Sequence, residues 1–280
     1  MSLRRLIPIQ RYRDPPPVVA ILPLGGIIGR VGPLRGGLDL ASLEFLIERA
    51  FSLRRLAAVS LAINSPGGSA VQSALIYRRI RALAEEKEVK VFAFAEDVAA
   101  SGGYWLALAG DEIYADHSSV IGSIGVLYRS FGFADAIARL GIERRVHVAG
   151  ERKSALDSFS PEDPGDVALL KDLQADVHAA FKDAVRERRG DKLKGAEDDL
   201  FSGAFWSGKR AVELGLVDGL GDLRTVMRER FGENVRLRTV APRRRWLRRR
   251  FGIGTSNPAA IGEGVIAALE ERMLWSRYGL

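Results

Sequence analysis

Residues 95–126 read AEDVAASGGYWLALAGDEIYADHSSVIGSIGV, and the rest of the chain is arranged around them. The apolar run Val89–Ala95 leads in as a buried strand. Ser101 then stands among Ala99, Ala100, Gly102 and Gly103, and a short apolar helix follows to about Ala109. Side chains this small let another backbone come close. Two readings are open from the stretch alone: a glycine-softened turn into a buried helix, or a turn that serves a nucleophilic serine.

Working outward decides the fold class. Pro15, Pro16 and Pro17 precede a β-rich run from Val18, and Asp39 is placed to cap a helix in which Leu40, Leu43, Leu46, Ile47 and Ala50 recur at helical spacing. LAAVSLAIN, Leu56–Asn64, is the near-continuous apolar run of a strand covered on both faces, and it stops at Ser65-Pro66-Gly67-Gly68. Ser69–Lys87 returns to helical periodicity before the Val89 strand. Strand, loop and helix thus alternate as in an α/β protein with a parallel sheet, whose ligand sites lie beyond the carboxyl ends of the strands. Gly67, Gly68 and Ser101 all fall at such ends.

Downstream, EIYAD and IGSIGVLY predict short strands, Phe131–Leu140 a helix, and Glu143–Val148 a strand that exits into Gly150-Glu151-Arg152-Lys153-Ser154. Pro161–Arg189 predicts a long amphipathic helix, and the segment from Phe205 to Gly232 two more. The expected organisation is a basic arm over 1–17, a main domain over 18–235, and an Arg-rich segment with an amphipathic helix over 236–280.

The chain has 280 residues, 47% hydrophobic and 28% charged, enough for a sizeable core. With no cysteine, disulfides, zinc–thiolate sites and thiol catalysis are excluded. His117, His147 and His178 show no ligand spacing, so no metal or cofactor is expected. The net charge of +7 gathers at Arg4, Arg5, Arg11 and Arg13 and again at Arg243–Arg245 and Arg248–Arg250. Such arginines make forked contacts to phosphates. The interleaved Trp246, Leu247 and Phe251 favour peripheral contact with an anionic membrane over nucleic acid, with a solvated linker as the bland alternative. Met1–Arg13 lacks the apolar core of a secretory signal, and Pro15–Gly29 is too short to span a bilayer. The expected place is cytoplasmic or peripheral to a membrane.

A serine hydroxyl needs a base. His117 has only Asp116 beside it, and adjacent side chains on a strand point oppositely. Lys153 is the stronger candidate, because burial beside SALDSFSP would disfavour its ammonium; a solvated lysine between Arg152 and Asp157 is the alternative. Gly67, Gly68 and Gly102 can aim backbone N–H groups at a developing oxyanion, although a Pro-Gly-Gly turn can also simply reverse the chain.

Asn64-Ser65-Pro66-Gly67-Gly68, Ala100-Ser101-Gly102-Gly103-Tyr104, Gly122-Ser123-Ile124-Gly125 and Lys153-Ser154-Ala155 stand in one order, and together they resemble the signal peptide peptidase A family, the S49 serine peptidases. The FWSGKRAVELGLVDGLG segment is similar to the family's closing motif. The resemblance implies a Clp protease/crotonase-like ββα spiral, here with a C-terminal basic and helical extension. It implies that Ser101 is the nucleophile, Lys153 the general base of a Ser/Lys dyad, Ser123 the serine that orients the lysine, and Gly68 and Gly102 the oxyanion donors. It further implies peptide substrates, residual signal peptides among them, and a ring-like homo-oligomer. Whether Lys153 meets Ser101 of its own chain or of a neighbour is left open. Two departures are Arg152, where the family often has an aromatic residue, and the absence of an apolar N-terminal anchor. Tyr104, Trp105, Val120 and Ile121 read either as walls of a substrate pocket or as core. The alternatives in function are a crotonase-like acyl-CoA enzyme and a non-catalytic membrane-associated scaffold.

Overall fold

The structure, a computed structural model, describes residues 15–29, 37–241 and 272–279. The chain divides into two compact units, residues 1–124 with 184–280, and residues 125–183. The arginine cluster at 243–250 and most of the expected last helix lie outside the described residues, of which 272–276 are helical.

The first unit is built on a mixed sheet. Its strands are β1 (Val18–Gly25), β2 (Leu56–Ser65), β3 (Lys90–Ala100), β4 (Glu112–Ala115), β5 (Val120–Gly122), β6 (Phe205–Ser207), β7 (Gly219–Leu220) and β8 (Arg236–Thr239). The main path runs β6-β5-β3-β2-β1-β8, with β4 beside β3 and β7 beside β4. All pairs are parallel except β5 with β6. Parallel neighbours need crossovers. The helices α1 (Leu40–Phe51) and α2 (Ala70–Glu86) supply the first two, and α3 (Gly102–Ala107) follows β3.

The local sequence explains the helix starts. Asp39 accepts the Ser42 N–H while the Ser42 hydroxyl accepts the Asp39 N–H, a reciprocal cap for α1. Ser69 accepts the Gln72 N–H to start α2. Along β2, Val59, Leu61 and Ile63 alternate with Ala58, and both sets are buried, so both faces of the strand are covered. On one face Phe92, Phe94, Val19 and Ala58 pack with Val226 and Met227 of the helix Leu223–Phe231. Truncating a fully buried residue such as Ile80 of α2 to alanine would cost about 2–5 kcal/mol.

The α/β expectation is met, with informative differences in detail. β3 does not stop near Ala95. It runs on to Ala100, pairing Phe92–Ala95 with β4 and Val98–Ala100 with β5. The charged pair Glu96–Asp97, which breaks the apolar run in the sequence, marks the change of partner. β5 ends at Gly122, and the SIGVLY portion of its predicted run is not strand. Residues 236–239 lie in the sheet, because β8 pairs with β1.

The second unit holds α4 (Ala134–Arg139) and the first part of α5 (Pro164–Arg189), a helix that continues into the first unit. The strand expected over Glu143–Val148 does not form; the segment is exposed and has no ladder partner, without which a strand leaves its N–H and C=O groups unpaired. Phe133 donates its N–H to Ser158 O, and its ring lies 5.5 Å from that of Phe159. Among the described residues of this unit only Phe181 is a buried hydrophobic, while Leu127, Phe131, Leu140, Ile142 and Leu173 are each at least half exposed.

Candidate active site

The site grows from a bulge. The β2–β3 register passes from Ile63↔Ala95 to Ser65↔Ala99, so β3 takes four steps where β2 takes two. Asn64 fills the irregularity: its amide nitrogen donates to Asp97 at 2.6 Å, and its amide oxygen accepts the Val98 N–H at 3.3 Å. Bulges bend a strand and re-aim the residues beyond them. Here the re-aimed residue is Ser101.

Ser101 sits between the end of β3 and the first turn of α3 with φ 52° and ψ −123°. A non-glycine residue in this region stores strain, of order 1–3 kcal/mol, and keeps it only where its surroundings over-determine the backbone. Here they do. The Ser101 N–H donates to Gly122 O at 2.7 Å, and Ser101 O accepts the Trp105 N–H at 3.0 Å. Tyr104, one turn into α3, is fully buried and donates its hydroxyl to Leu216 O at 2.7 Å; burial pushes its pKa up, which keeps it a donor. A strand running straight into a helix through a strained serine is a nucleophile-elbow arrangement.

The glycines are there because other backbone is close. A methyl group at position 67 would stand 2.8 Å from Ser101 Cβ and 2.8 Å from Gly102 N. One at 68 would collide with Ile28 O, and one at 102 with Ser73 Oγ. Ile28 brackets the Gly67–Gly68 turn, donating its N–H to Gly67 O and accepting from the Ser69 N–H. The N–H groups of Gly68 and Gly102, like those of the next residues in the first turn of α3, donate to no other group among the described residues. They are neighbours: the Cβ direction of Gly102 ends 3.4 Å from Gly68 N. Two unspent N–H groups beside a serine hydroxyl can hold a negative oxygen.

Ser123 joins this group through the end of the ladder: Ala100 pairs with Gly122, the residue before Ser123, and Gly122 O also accepts the Ser101 N–H. Ser123 is also at positive φ, 52°, and is buried; its N–H donates to Ala204 O at 2.7 Å. Trp206 lies against Gly122, where a methyl group would meet its ring at 2.7 Å.

Of the residues singled out in the sequence, Ser101, Ser123, Gly68 and Gly102 are therefore brought together in the first unit. Lys153 belongs to the second, in an exposed turn where its N–H donates to Gly150 O. Tyr104, Trp105 and Ile121 are buried core residues. His117 lies in the turn after β4 with its carbonyl accepting the Lys209 N–H. No group of acidic or histidine side chains that could hold a metal occurs among the described residues.

The sequence did not point to the machinery behind α3. Arg188 donates to Leu108 O and Gly110 O, and Arg81 to Ala109 O, so two guanidinium groups take the carbonyls at the carboxyl end of the helix. Both also pair with Asp111. Next to them Arg189, 2% exposed, pairs with Asp218 at 2.7 Å. Burial works against the Asp218 carboxylate, but hydrogen bonds from Arg189, Lys192 and the Ile113 N–H outweigh it and hold its pKa below the usual range. The only hint of this in the sequence was a run of arginines at the end of α5, which reads equally well as a solvated helix end.

With the geometry in place, relatives can be compared. The family described as Peptidase family S49 matches residues 83–234, a span that holds Ser101, Ser123 and Lys153 and leaves out Gly68. A putative protease, slr0021, of Synechocystis is 30% identical over 193 residues, covering 68% of this chain and 67% of its own length. The chloroplastic serine protease SPPA of Arabidopsis thaliana is 34% identical over 213 residues, covering 73% of this chain and 31% of its own. A Brucella abortus protein named Na(+)/H(+) antiporter NhaA is 50% identical over 288 aligned residues, which span 99% of this chain and only 39% of that protein. No helix among the described residues is long and apolar enough to cross a membrane.

Proposed function

This chain belongs to peptidase family S49; from that premise we propose that it is a serine peptidase that cleaves peptides with a Ser101/Lys153 dyad. The observation that carries the reading is the strained backbone of Ser101 at the β3–α3 junction, beside the two unspent N–H groups of Gly68 and Gly102. In the proposed reaction Lys153, as the free amine, takes the Ser101 proton as Oγ attacks the scissile carbonyl. The oxyanion forms between the N–H groups of Gly68 and Gly102. Lys153 then gives its proton to the leaving amine, and a water, deprotonated the same way, releases the acyl group and restores Ser101. Ser123 orients the lysine amine.

A lysine serves as a base only where its surroundings disfavour the ammonium. Lys153 is exposed in the single chain, as are Val146, Val148 and Phe159, while Ala155 and Leu156 beside it are half-buried. Exposed apolar surface of this extent is characteristic of an interface. The reading is therefore that a second copy covers residues 125–183 in a ring-like homo-oligomer and that the dyad is complete only in that assembly. The finer substrate reading is extended, membrane-proximal peptides such as residual signal peptides. The acyl-CoA alternative leaves Ser101 without a role.

A fluorophosphonate probe tests the dyad. Wild-type protein is expected to label at one serine, and Ser101→Ala and Lys153→Ala each to abolish labelling; labelling that persists in either variant refutes the dyad.

A further inference from the structure

Opposite the Ser101 end of the sheet, four arginines line a cavity of about 540 Å³: Arg54 and Arg55 from the turn before β2, and Arg236 and Arg238 from β8, with Val18 and Leu237 completing the lining. The register builds this rim. Val18, the first residue of β1, pairs with Leu56 on one side and with Arg236 on the other, so Arg55 and Arg236 flank it two strand spacings apart, roughly 10 Å. Backbone bonds lock the row, with the Val18 N–H donating to Arg55 O and the Arg236 N–H to Pro17 O. On β8 the period of two turns Leu237 toward the core cluster of Val19 and Phe92 and leaves Arg236 and Arg238 exposed together.

None of these four side chains pairs with a carboxylate among the described residues. That contrasts with Arg79, Arg81, Arg186, Arg188, Arg189 and Arg230, each of which has an acidic partner. Positive charge on an edge strand is also a device against edge-to-edge aggregation. That accounts for β8 but not for Arg54 and Arg55, which lie across β1 from the edge.

We propose that this rim is a binding site for phosphate-bearing headgroups, and that it seats the protein on an anionic phospholipid surface. Guanidinium groups free of carboxylates match phosphate oxygens in a forked geometry. The sequence entering the rim supports a lipid source: residues 1–17 lead directly into Val18, and there Arg4, Arg5, Arg11 and Arg13 alternate with Leu3, Leu6, Ile7, Ile9 and Tyr12, a mix that suits a bilayer interface better than a nucleic acid groove. The inference needs no part of the dyad reading. It has a geometric consequence: β2, ten residues and about 33 Å long, separates the rim from the Gly67–Ser101 end. A protein seated on the rim holds its nucleophile about 33 Å from the headgroups, within reach of peptides that project from the membrane surface.

The test is co-sedimentation of the full chain with vesicles of phosphatidylglycerol in phosphatidylcholine, and with phosphatidylcholine alone. Wild-type protein is expected on the anionic vesicles only. Each arginine near such a surface contributes about fivefold in partitioning, so the pair Arg236→Gln with Arg238→Gln is expected to lose on the order of 25-fold, and Arg54→Gln alone about fivefold. Unchanged thermal midpoints and unchanged fluorophosphonate labelling keep these variants interpretable as folded protein. Equal binding by wild-type and folded variants overturns the proposal. Saturation of the rim by glycerol 1-phosphate, lost in the double variant and without vesicle binding, overturns the lipid source, and so does tighter binding to an oligonucleotide than to vesicles.

Discussion

The two units treat the same kinds of side chain in opposite ways. In the sheet unit Leu22, Leu61, Ile63, Ile80 and Phe92 lie inside. In residues 125–183 Phe131, Leu140 and Ile142 lie outside, and Phe181 is the one buried hydrophobic described. The sheet unit carries the serine, two glycine donors and Ser123, all positioned by its own backbone; the other carries Lys153 in an open turn. The difference teaches where the proposed dyad is vulnerable: Ser101 is positioned by the backbone of its own chain, whereas Lys153, in an exposed turn, would need a second copy to cover it.

The sharpest way to break that contrast is to remove each half separately. Ser101→Ala is expected to lower peptide hydrolysis at least 10³-fold with the melting temperature within a degree or two of wild type. Lys153→Ala should lower kcat by a comparable factor, while Arg152→Ala changes it less than about threefold; an active Lys153→Ala enzyme would place the base elsewhere. Gly102→Ala brings a methyl group onto Ser73 Oγ and disturbs one oxyanion donor, so kcat should fall about 10²–10³-fold with little change in KM.

Assembly supplies the next test. Ile142→Asp, which places a charge on exposed apolar surface, is expected to leave the monomer folded by circular dichroism and to reduce both the sedimentation coefficient and the activity. A sedimentation coefficient already that of a monomer in wild-type protein would break the comparison at its root.

The smallest effect concerns stability alone. Asp218→Asn leaves Arg189 buried without its partner and is expected to cost about 3 kcal/mol in a denaturant titration. Because the folded-state pKa of Asp218 is lowered, its contribution is fully present above the unfolded carboxylate pKa and is lost as pH falls through the folded value. The wild-type protein should therefore lose stability on the acid side of about pH 4 more steeply than the variant.

Much of this was legible beforehand where a local pattern has a single physical solution. Asp39 and Ser69 start helices because a side-chain oxygen is wanted there, and LAAVSLAIN can only be a strand buried on both faces. What the sequence hid were relations between distant segments. Glu96 and Asp97 look like the end of a strand, yet they are the hinge at which β3 exchanges β4 for β5, and only Asn64, far away in the chain, explains how that is held. Glu143–Val148 has the alternation of a strand and no neighbour to pair with. Ser123 is legible only through the resemblance; the pairing of Ala100 with Gly122 brings the end of β5 to Ser101, a relation no local pattern announces.

The positive φ angles at Ser101 and Ser123 carry an evolutionary corollary. Both backbones are ones that glycine adopts without penalty, so replacing either serine by glycine relieves strain at the cost of its hydroxyl. A library of this protein sorted for thermal resistance would enrich glycine at 101 and 123, and one sorted for turnover would reject it. The two positions where such selections pull hardest in opposite directions would mark the working serines without any substrate having been identified.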